Sequence, residues 1–284
     1  MDTHVVIMAG GVGKRLFPIS TPERPKQFID LLRVGKTMIQ MTVERFLPIC
    51  PIEHFWVVTS EKYIRYVREQ IPGLPPSHIL AEPEARNTAP CIAYACTKIA
   101  AHYPGVNIVV TPSDAWVGDQ EKFIDTIQTA LNFTQESNRI VTLGITPSHP
   151  ATEYGYIETG KTVIRPVKKV LSFKEKPDAN TARQYIESGN YFWNAGIFVW
   201  NQNTIESQLR KHAPQIMEQM DKIAPHLYGN DESHALRVYF PQCEKISIDY
   251  AVMEKSNEIF MIPCDFPWND LGSFQAIEDV SKLI

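Results

Sequence analysis

Apolar runs and stretches with helical period alternate along the first half of the chain. Residues 5–9 (VVIMA) are a short continuous apolar run, which predicts a strand buried on both faces. Residues 36–47 put Ile39, Val43, Phe46 and Leu47 on one side of a helix. A second strand is predicted over 54–60, and the helical pattern EKYIRYVREQI follows it. A third strand is predicted over 78–82, then a helix over 87–103 with Asn87 or Thr88 as its cap and Pro90 in its first turn. Residues 107–114 predict a fourth strand and 139–145 a fifth, and the helix between them, 119–136, keeps Phe123, Ile127 and Leu131 in phase. Strands without a polar face, separated by helices, predict an α/β fold of Rossmann-like type: a mixed, mostly parallel sheet flanked by helices.

The texture changes after residue 145. YGYIETG, KKVLSFKEK and FWNAGIFVW read as strands joined by turns, an extension of the sheet that carries an inserted binding region. Helices are expected over 178–189, 203–212 and 272–284. With no repeat or linker in sight, residues 1–284 read as a single domain of two halves, about 1–145 and 146–284. Trp56, Trp193, Trp200 and Trp268 are expected in the core, with Trp116 left open.

Composition narrows the function classes. The chain has 284 residues, 44% hydrophobic and 21% charged, enough apolar content for a sizeable core and too little charge for wholesale disorder. A net charge of -4 offers no basic field for a nucleic acid, though it permits a local cationic pocket. Five cysteines without a CxxC pair read as free, mostly buried thiols in a reducing, cytoplasmic setting rather than as a disulfide framework. The N-terminus does not read as a signal peptide, no apolar stretch is long enough to span a bilayer, and the histidines lack zinc-ligand spacing.

The strongest local feature is AGGVGKRLFP (9–18), directly after the first strand. Leu16 stands where a dinucleotide fingerprint needs its third small residue, which also argues against a nicotinamide-dependent oxidoreductase. Met8 and Arg15 occupy the positions where a Walker A loop needs Gly and Ser/Thr. What remains is a turn of small residues followed by Lys14 and Arg15. Amides at Ala9, Gly10, Gly11 and Gly13 can approach a phosphate where no Cβ intervenes, and a guanidinium can grip its oxygens. A tight structural turn with solvated basic residues is the plainer reading of the same string. Lys26, after Pro25 in RPKQF, is a candidate second phosphate ligand.

AGGVGKRLFP and PKQF together resemble the opening of sugar nucleotidyltransferases, and EPEARNTAP (82–90) narrows the resemblance to mannose-1-phosphate guanylyltransferases. TPSDAWV (111–117), TLGITP, EYGYIETG, FKEKPD, WNAGIF, SIDYAVMEK and WNDLGSF follow in that family's order, so the resemblance covers essentially the whole chain. The chain departs from the family pattern at Ala115, where a histidine is common, and at Glu153-Tyr154, where a glycine usually precedes the YGY block. The resemblance implies a GT-A-like nucleotidyltransferase domain, without the C-terminal β extension that often follows. It also implies that GTP and mannose 1-phosphate react to give GDP-mannose and pyrophosphate.

In that reaction an oxygen of the sugar phosphate attacks the α-phosphorus of GTP. The nucleophile is already an anion, so catalysis rests on positioning and on neutralising charge with a divalent cation, Mg²⁺, and basic side chains. The resemblance implies metal binding by Asp114, at the C-terminal edge of the fourth strand, and Asp270, with Arg15 and Lys26 on the phosphates. It places Asn87, Thr88, Pro90 and Ser113 at the nucleotide, and Gly155, Glu175, Lys176 and Asn194 at the sugar phosphate. Each has a plainer reading: helix caps for Asn87 and Thr88, turn chemistry for Asp114 and Asp270, a surface charge run for residues 175–178. The rivals are a guanylyltransferase for a heptose 1-phosphate, a uridylyl- or thymidylyltransferase for glucose 1-phosphate, and an inactive relative that binds sugar nucleotide and regulates a partner. The partners expected are these two substrates, with no nucleic acid and no membrane, and a homodimer stays open.

Overall fold

Val5, Val6 and Ile7 are wholly buried, and they form the first strand, β1 (Thr3–Met8), in a computed structural model that describes residues 2–11, 13–135, 137–174 and 176–284. It is followed by α1 (Met38–Phe46), β2 (Phe55–Ser60), α2 (Ile64–Gln70), β3 (Ile79–Glu82), α3 (Thr88–Ala100) and β4 (Asn107–Pro112). A two-residue strand β5 (Trp116–Val117), helix α4 (Gln120–Thr134) and β6 (Ile140–Ile145) complete the first half. The strands β1 to β4 pair in parallel, in the spatial order β3-β2-β1-β4. Side chains alternate across β1, so Val5 and Ile7 pack with Phe46, Phe123 and Ile127 on one face. Val6 packs on the other face, in the cluster that holds Trp56, Ile92 and Ile99.

The second half comprises β7 (Tyr156–Ile164), β8 (Val167–Lys174), α5 (Ala179–Ser188), β9 (Tyr191–Asn201) and α6 (Gln202–His212). It continues with α7 (Pro214–Ile223), α8 (Glu232–Tyr239), β10 (Ile259–Cys264), β11 (Trp268–Asn269) and α9 (Phe274–Ser281). The sheet is mixed: β9 runs antiparallel between β4 and β6, β10 pairs in parallel with β6, and β7 and β8 add antiparallel strands. Polar caps start the helices where the sequence offers them, with Asp119, Asp178, Asn201 and Ser273 each accepting a backbone N–H. Helices α7 and α8 escaped the periodicity reading, although Pro214 marks the start of α7 and Ile216, Met220 and Ile223 form its buried stripe. Trp56, Trp200 and Trp193 are core residues, and all five cysteines are buried and free. Among the described residues no helix is long and apolar enough to cross a membrane.

One small feature positions the site. Strands β5 and β11 pair antiparallel, with Trp268 opposite Val117 and Asn269 opposite Trp116. That ladder brings the segment just before α9 onto the segment after β4. Arg45 of α1 anchors the same place from below: its guanidinium, 4% exposed, donates to the Ala115 carbonyl at 2.9 Å and lies over the Phe123 ring. Burial pulls its pKa down to about 10, so it stays charged at neutral pH. Replacing it by Met preserves most of the volume but leaves the Ala115 carbonyl unpaired. Arg45→Met is expected to lower stability by about 1–3 kcal/mol in urea unfolding; an unchanged midpoint and slope would show that the anchor carries no weight.

Candidate active site

The glycine-rich turn leaves β1 at the sheet edge formed by the C-terminal ends of the parallel strands. Gln27 braces it: its amide donates to the Ala9 carbonyl at 3.0 Å and to the Gly11 carbonyl at 2.9 Å. Thr59 adds a hydroxyl to the Ala9 carbonyl at 2.8 Å. Gly13 has φ +62, and a Cβ there would lie 2.7 Å from Ser20 Oγ and 3.1 Å from Lys26 Cγ. Glycine is therefore needed twice over, for its dihedral and for the passage of Lys26 beneath the turn.

Lys26, only 8% exposed, ties the two halves together. Its Nζ lies 3.1 Å from Asp114 Oδ2 and donates to the main-chain carbonyl of Asp270 at 2.6 Å. Asp270 Oδ1 accepts from the Tyr154 hydroxyl at 3.2 Å and from the Gly272 N–H at 3.0 Å, and Oδ2 lies 3.4 Å from Arg15 Nη2. Tyr154 is itself packed edge-on against Trp193 and Trp268. Burial, and then the Asp270 charge, raise its pKa, so the hydroxyl keeps its proton and donates. Arg15 is the exposed member, its side chain 62% exposed, so its pairing with Asp270 adds little to stability and leaves it available to a ligand.

These groups line one cleft of about 580 Å³. Arg15, Lys26, Asp114 and Asp270 are all on it, as are Gly13, Gly155, Lys176 and Asn194. The donor set suits a hard divalent ion: the carboxylates of Asp114 and Asp270 line the same cleft, and water and phosphate oxygens would complete the coordination. Among the described residues no group of three or more His, Cys, Asp and Glu side chains forms a closed metal site. Trp268, expected in the core, packs part-buried against it and also forms part of the cleft wall, from the separate two-stranded β5–β11 ladder.

The other nucleotide candidates lie apart from this cleft. Asn87, at φ +69, caps α3 by accepting from Thr88 N at 2.8 Å. The Thr88 hydroxyl accepts from Ile248 N at 2.9 Å, a contact that holds another segment rather than facing solvent. Ala9, Pro90 and Ser113 are buried, whereas Gly10 and Gly11 are exposed beside the turn. Glu175 lies outside the described residues.

Several residues escaped the sequence reading. Gly272 is one: a Cβ there would meet Arg15 Nη2 and Asp270 Oδ2, both at 2.7 Å. Its position two residues past an aspartate was the only signal. Glu82 is another, at the end of β3, 7% exposed, with Oε1 lacking a protein partner and Oε2 facing Gly10. Burial pushes its pKa up to about 8, so it is a neutral acid at pH 7. Asp249, Glu254 and Lys174 also line the cleft.

Comparison with known proteins bears on the family and the fold. A family model described as nucleotidyl transferase matches residues 4–284. The xanthan biosynthesis protein XanB of Xanthomonas campestris is 37% identical over 290 residues, 99% of this chain and 60% of that protein. The mannose-1-phosphate guanylyltransferase RfbM of Salmonella typhimurium is 34% identical over 285 residues, 98% of this chain and 58% of that protein. The chain thus spans about three fifths of the length of these curated relatives. A Thermus thermophilus crystal structure described as mannose-1-phosphate geranyltransferase superposes with a TM-score of 0.89 at 33% identity, covering 99% of this chain and 79% of that one.

Two outcomes follow from the crowding and burial. Gly272→Ala is expected to push Arg15 and Asp270 apart and lower turnover at least about tenfold, as displacement of charge-stabilising groups does, with stability little changed; wild-type turnover would show that the two side chains relocate freely. For Glu82, the unfolded chain ionises near pH 4.3, about four units below the folded state. The stabilising effect of its burial is complete below that value and is lost as pH rises toward 8. Relative to Glu82→Gln, which does not titrate, the wild type is expected to lose on the order of a few kcal/mol between pH 5 and 8. Parallel stability curves in urea at the two pH values would contradict a neutral Glu82.

Proposed function

The chain belongs to the nucleotidyl transferase family, and we propose that it transfers GMP from GTP to mannose 1-phosphate, giving GDP-mannose and pyrophosphate. The observation that carries this reading is the meeting of Asp114 and Asp270 around Lys26, beside a guanidinium and a glycine turn, in one cleft. Relatives bearing the name mannose-1-phosphate guanylyltransferase support the choice of base and sugar.

Each group has a part that its position supports. The backbone N–H groups of Gly10, Gly11 and Gly13 would face the triphosphate, and Arg15 would reach its oxygens. Lys26 is fixed by its two partners and offers its charge at the junction where the attacking and leaving groups meet. Asp114 and Asp270 would hold Mg²⁺, which when bound neutralises phosphate charge and orients the oxygens. The phosphate of the sugar reaches the α-phosphorus from the side of Lys176, Gly155 and Asn194. The new O–P bond forms as the bond to the β-phosphate oxygen breaks, and pyrophosphate carries the charge away. No proton has to move, which agrees with a cleft that offers charges and amides rather than a poised base. The reading also places the enzyme in the cytoplasm, in keeping with its free thiols.

A pyrophosphate-release assay over the four common nucleotides and a panel of sugar 1-phosphates tests this. GTP with mannose 1-phosphate is expected to react fastest, with an absolute need for divalent metal. A preference for UTP or dTTP, or for a heptose phosphate, would replace the reading. In the same assay Asp114→Asn is expected to lower turnover at least about a hundredfold; retention of turnover with metal still required would remove Asp114 from the site.

A further inference from the structure

Asp270 meets the cleft with two oxygens that are not equivalent. Oδ1 accepts from the Tyr154 hydroxyl at 3.2 Å and from the Gly272 N–H at 3.0 Å. A carboxylate oxygen offers about two lone-pair directions, so these two donors fill Oδ1. Oδ2 faces the Arg15 guanidinium at 3.4 Å, a long contact made by an exposed side chain. A Cβ on Gly272 would lie 2.7 Å from Oδ2, so the glycine keeps the near side of that oxygen open. One oxygen is thus tied to the protein and the other is presented to the cleft.

The hydroxyl that ties Oδ1 is itself held from several sides. Tyr154 is buried, and its ring packs edge-on against Trp193 at 5.0 Å and Trp268 at 5.4 Å. The backbone around it is pinned twice. Asn194 N donates to the Gly155 carbonyl at 2.9 Å, and the Tyr156 hydroxyl donates to the Ala151 carbonyl at 2.8 Å. Trp268 lies two residues before Asp270 in the chain, so ring and carboxylate share one support. A donor fixed in this way restrains the aspartate χ2, which is otherwise broad and two-fold.

This asymmetry matters for a hard divalent ion. A ligating carboxylate is oriented by its own hydrogen bonds, and losing such a partner costs metal affinity without removing a ligand. We propose that Tyr154 is a positioning residue for the metal: its hydroxyl holds Oδ1 so that Asp270 offers Oδ2 alone to the divalent cation. This rests on the reading of Asp114 and Asp270 as the metal carboxylates, and it adds the residue that sets how one of them binds. Tyr154 acts through Asp270 and not on a substrate. The Arg15 contact at Oδ2 is given up to the cation, which frees the guanidinium for phosphate oxygens.

Tyr154→Phe removes the hydroxyl and keeps the ring against the two tryptophans. Binding of Mn²⁺ alone, followed by water-proton relaxation, is expected to weaken about tenfold to a hundredfold, the cost of losing a partner of a metal ligand. In pyrophosphate release with GTP and mannose 1-phosphate, the Mg²⁺ concentration giving half the maximal rate is expected to rise by a similar factor. At saturating Mg²⁺ the KM values of both substrates are expected to shift less than about twofold. Asp270→Asn is expected to weaken Mn²⁺ binding at least as much, with Tyr154→Phe adding less than about twofold to it. A loss of Mn²⁺ affinity under about twofold in Tyr154→Phe, or losses that multiply in the double variant, would overturn the proposal. If the wild type binds no Mn²⁺, or Asp270→Asn leaves binding intact, the metal-site reading fails and the proposal falls with it. If Asp270→Asn weakens binding and Tyr154→Phe does not, the proposal alone fails. A different base or sugar preference leaves the Mn²⁺ arm unchanged, since that arm needs no substrate. Should Tyr154→Phe fail to fold, a crystal structure of the wild type with Mn²⁺ decides. The ion on Oδ2, with Oδ1 still bonded to Tyr154, is expected; the ion on Oδ1 or on both oxygens overturns the proposal.

Discussion

A single ammonium group joins the two ends of this chain. Lys26 reaches Asp114 from the first half and the backbone of Asp270 from the second, and it is nearly inaccessible to solvent while doing so. Burying a lysine is unfavourable unless its charge is matched. The match here is one carboxylate and one carbonyl, supplied by two segments that would otherwise have no reason to meet. Gly13 exists in its left-handed conformation because the stem of Lys26 passes under it. Gly272 lacks a side chain because Arg15 and Asp270 fill the space. The β5–β11 ladder and the Arg45 anchor hold the frame in which this is feasible.

The fold was legible in the first half for a simple reason. Strands β1, β2 and β4 are buried on both faces, so their apolar runs are continuous, and the helices between the strands are amphipathic. Predicted and observed limits differ there by at most three residues, one for 54–60 against Phe55–Ser60 and three at the end of 87–103 against Thr88–Ala100. The second half was harder because its logic is non-local. That β9 would insert between β4 and β6, antiparallel to both, depends on pairings no local pattern encodes. The short ladder Trp116–Val117 with Trp268–Asn269 is invisible for the same reason: two residues have no period.

The site divides along the same line. Residues marked by unusual local chemistry, such as the glycine turn, Arg15, Lys26 and the aspartate two residues past β4, could be nominated from the sequence. Tyr154, Gly272 and Asp249 could not be ranked in advance, because each acts through a partner far away in the chain: Asp270, Arg15 and Asn194 respectively. Asn87 and Thr88 show the reverse effect. Their motif is distinctive, yet their side chains are engaged in capping α3 and in latching Ile248.

That latch bears on how two substrates are handled in one cleft. The start of α3 lies at the same sheet edge as the glycine turn, and it grips the segment that presents Asp249 to Asn194. Three elements therefore share one rigid frame: the end of β3 with its neutral Glu82, the first turn of α3, and the π-helical turn Asp249–Met253. Under the proposed transfer, such a frame would set the distance between nucleotide and sugar phosphate by covalent geometry and a few hydrogen bonds rather than by closure of a flexible lid. Reaction between two anions needs this more than it needs an acid or a base, since the barrier is dominated by bringing like charges to one point. The latch would then fix where the proposed substrates meet, and the exposed Arg15 guanidinium would answer the charge that develops between them.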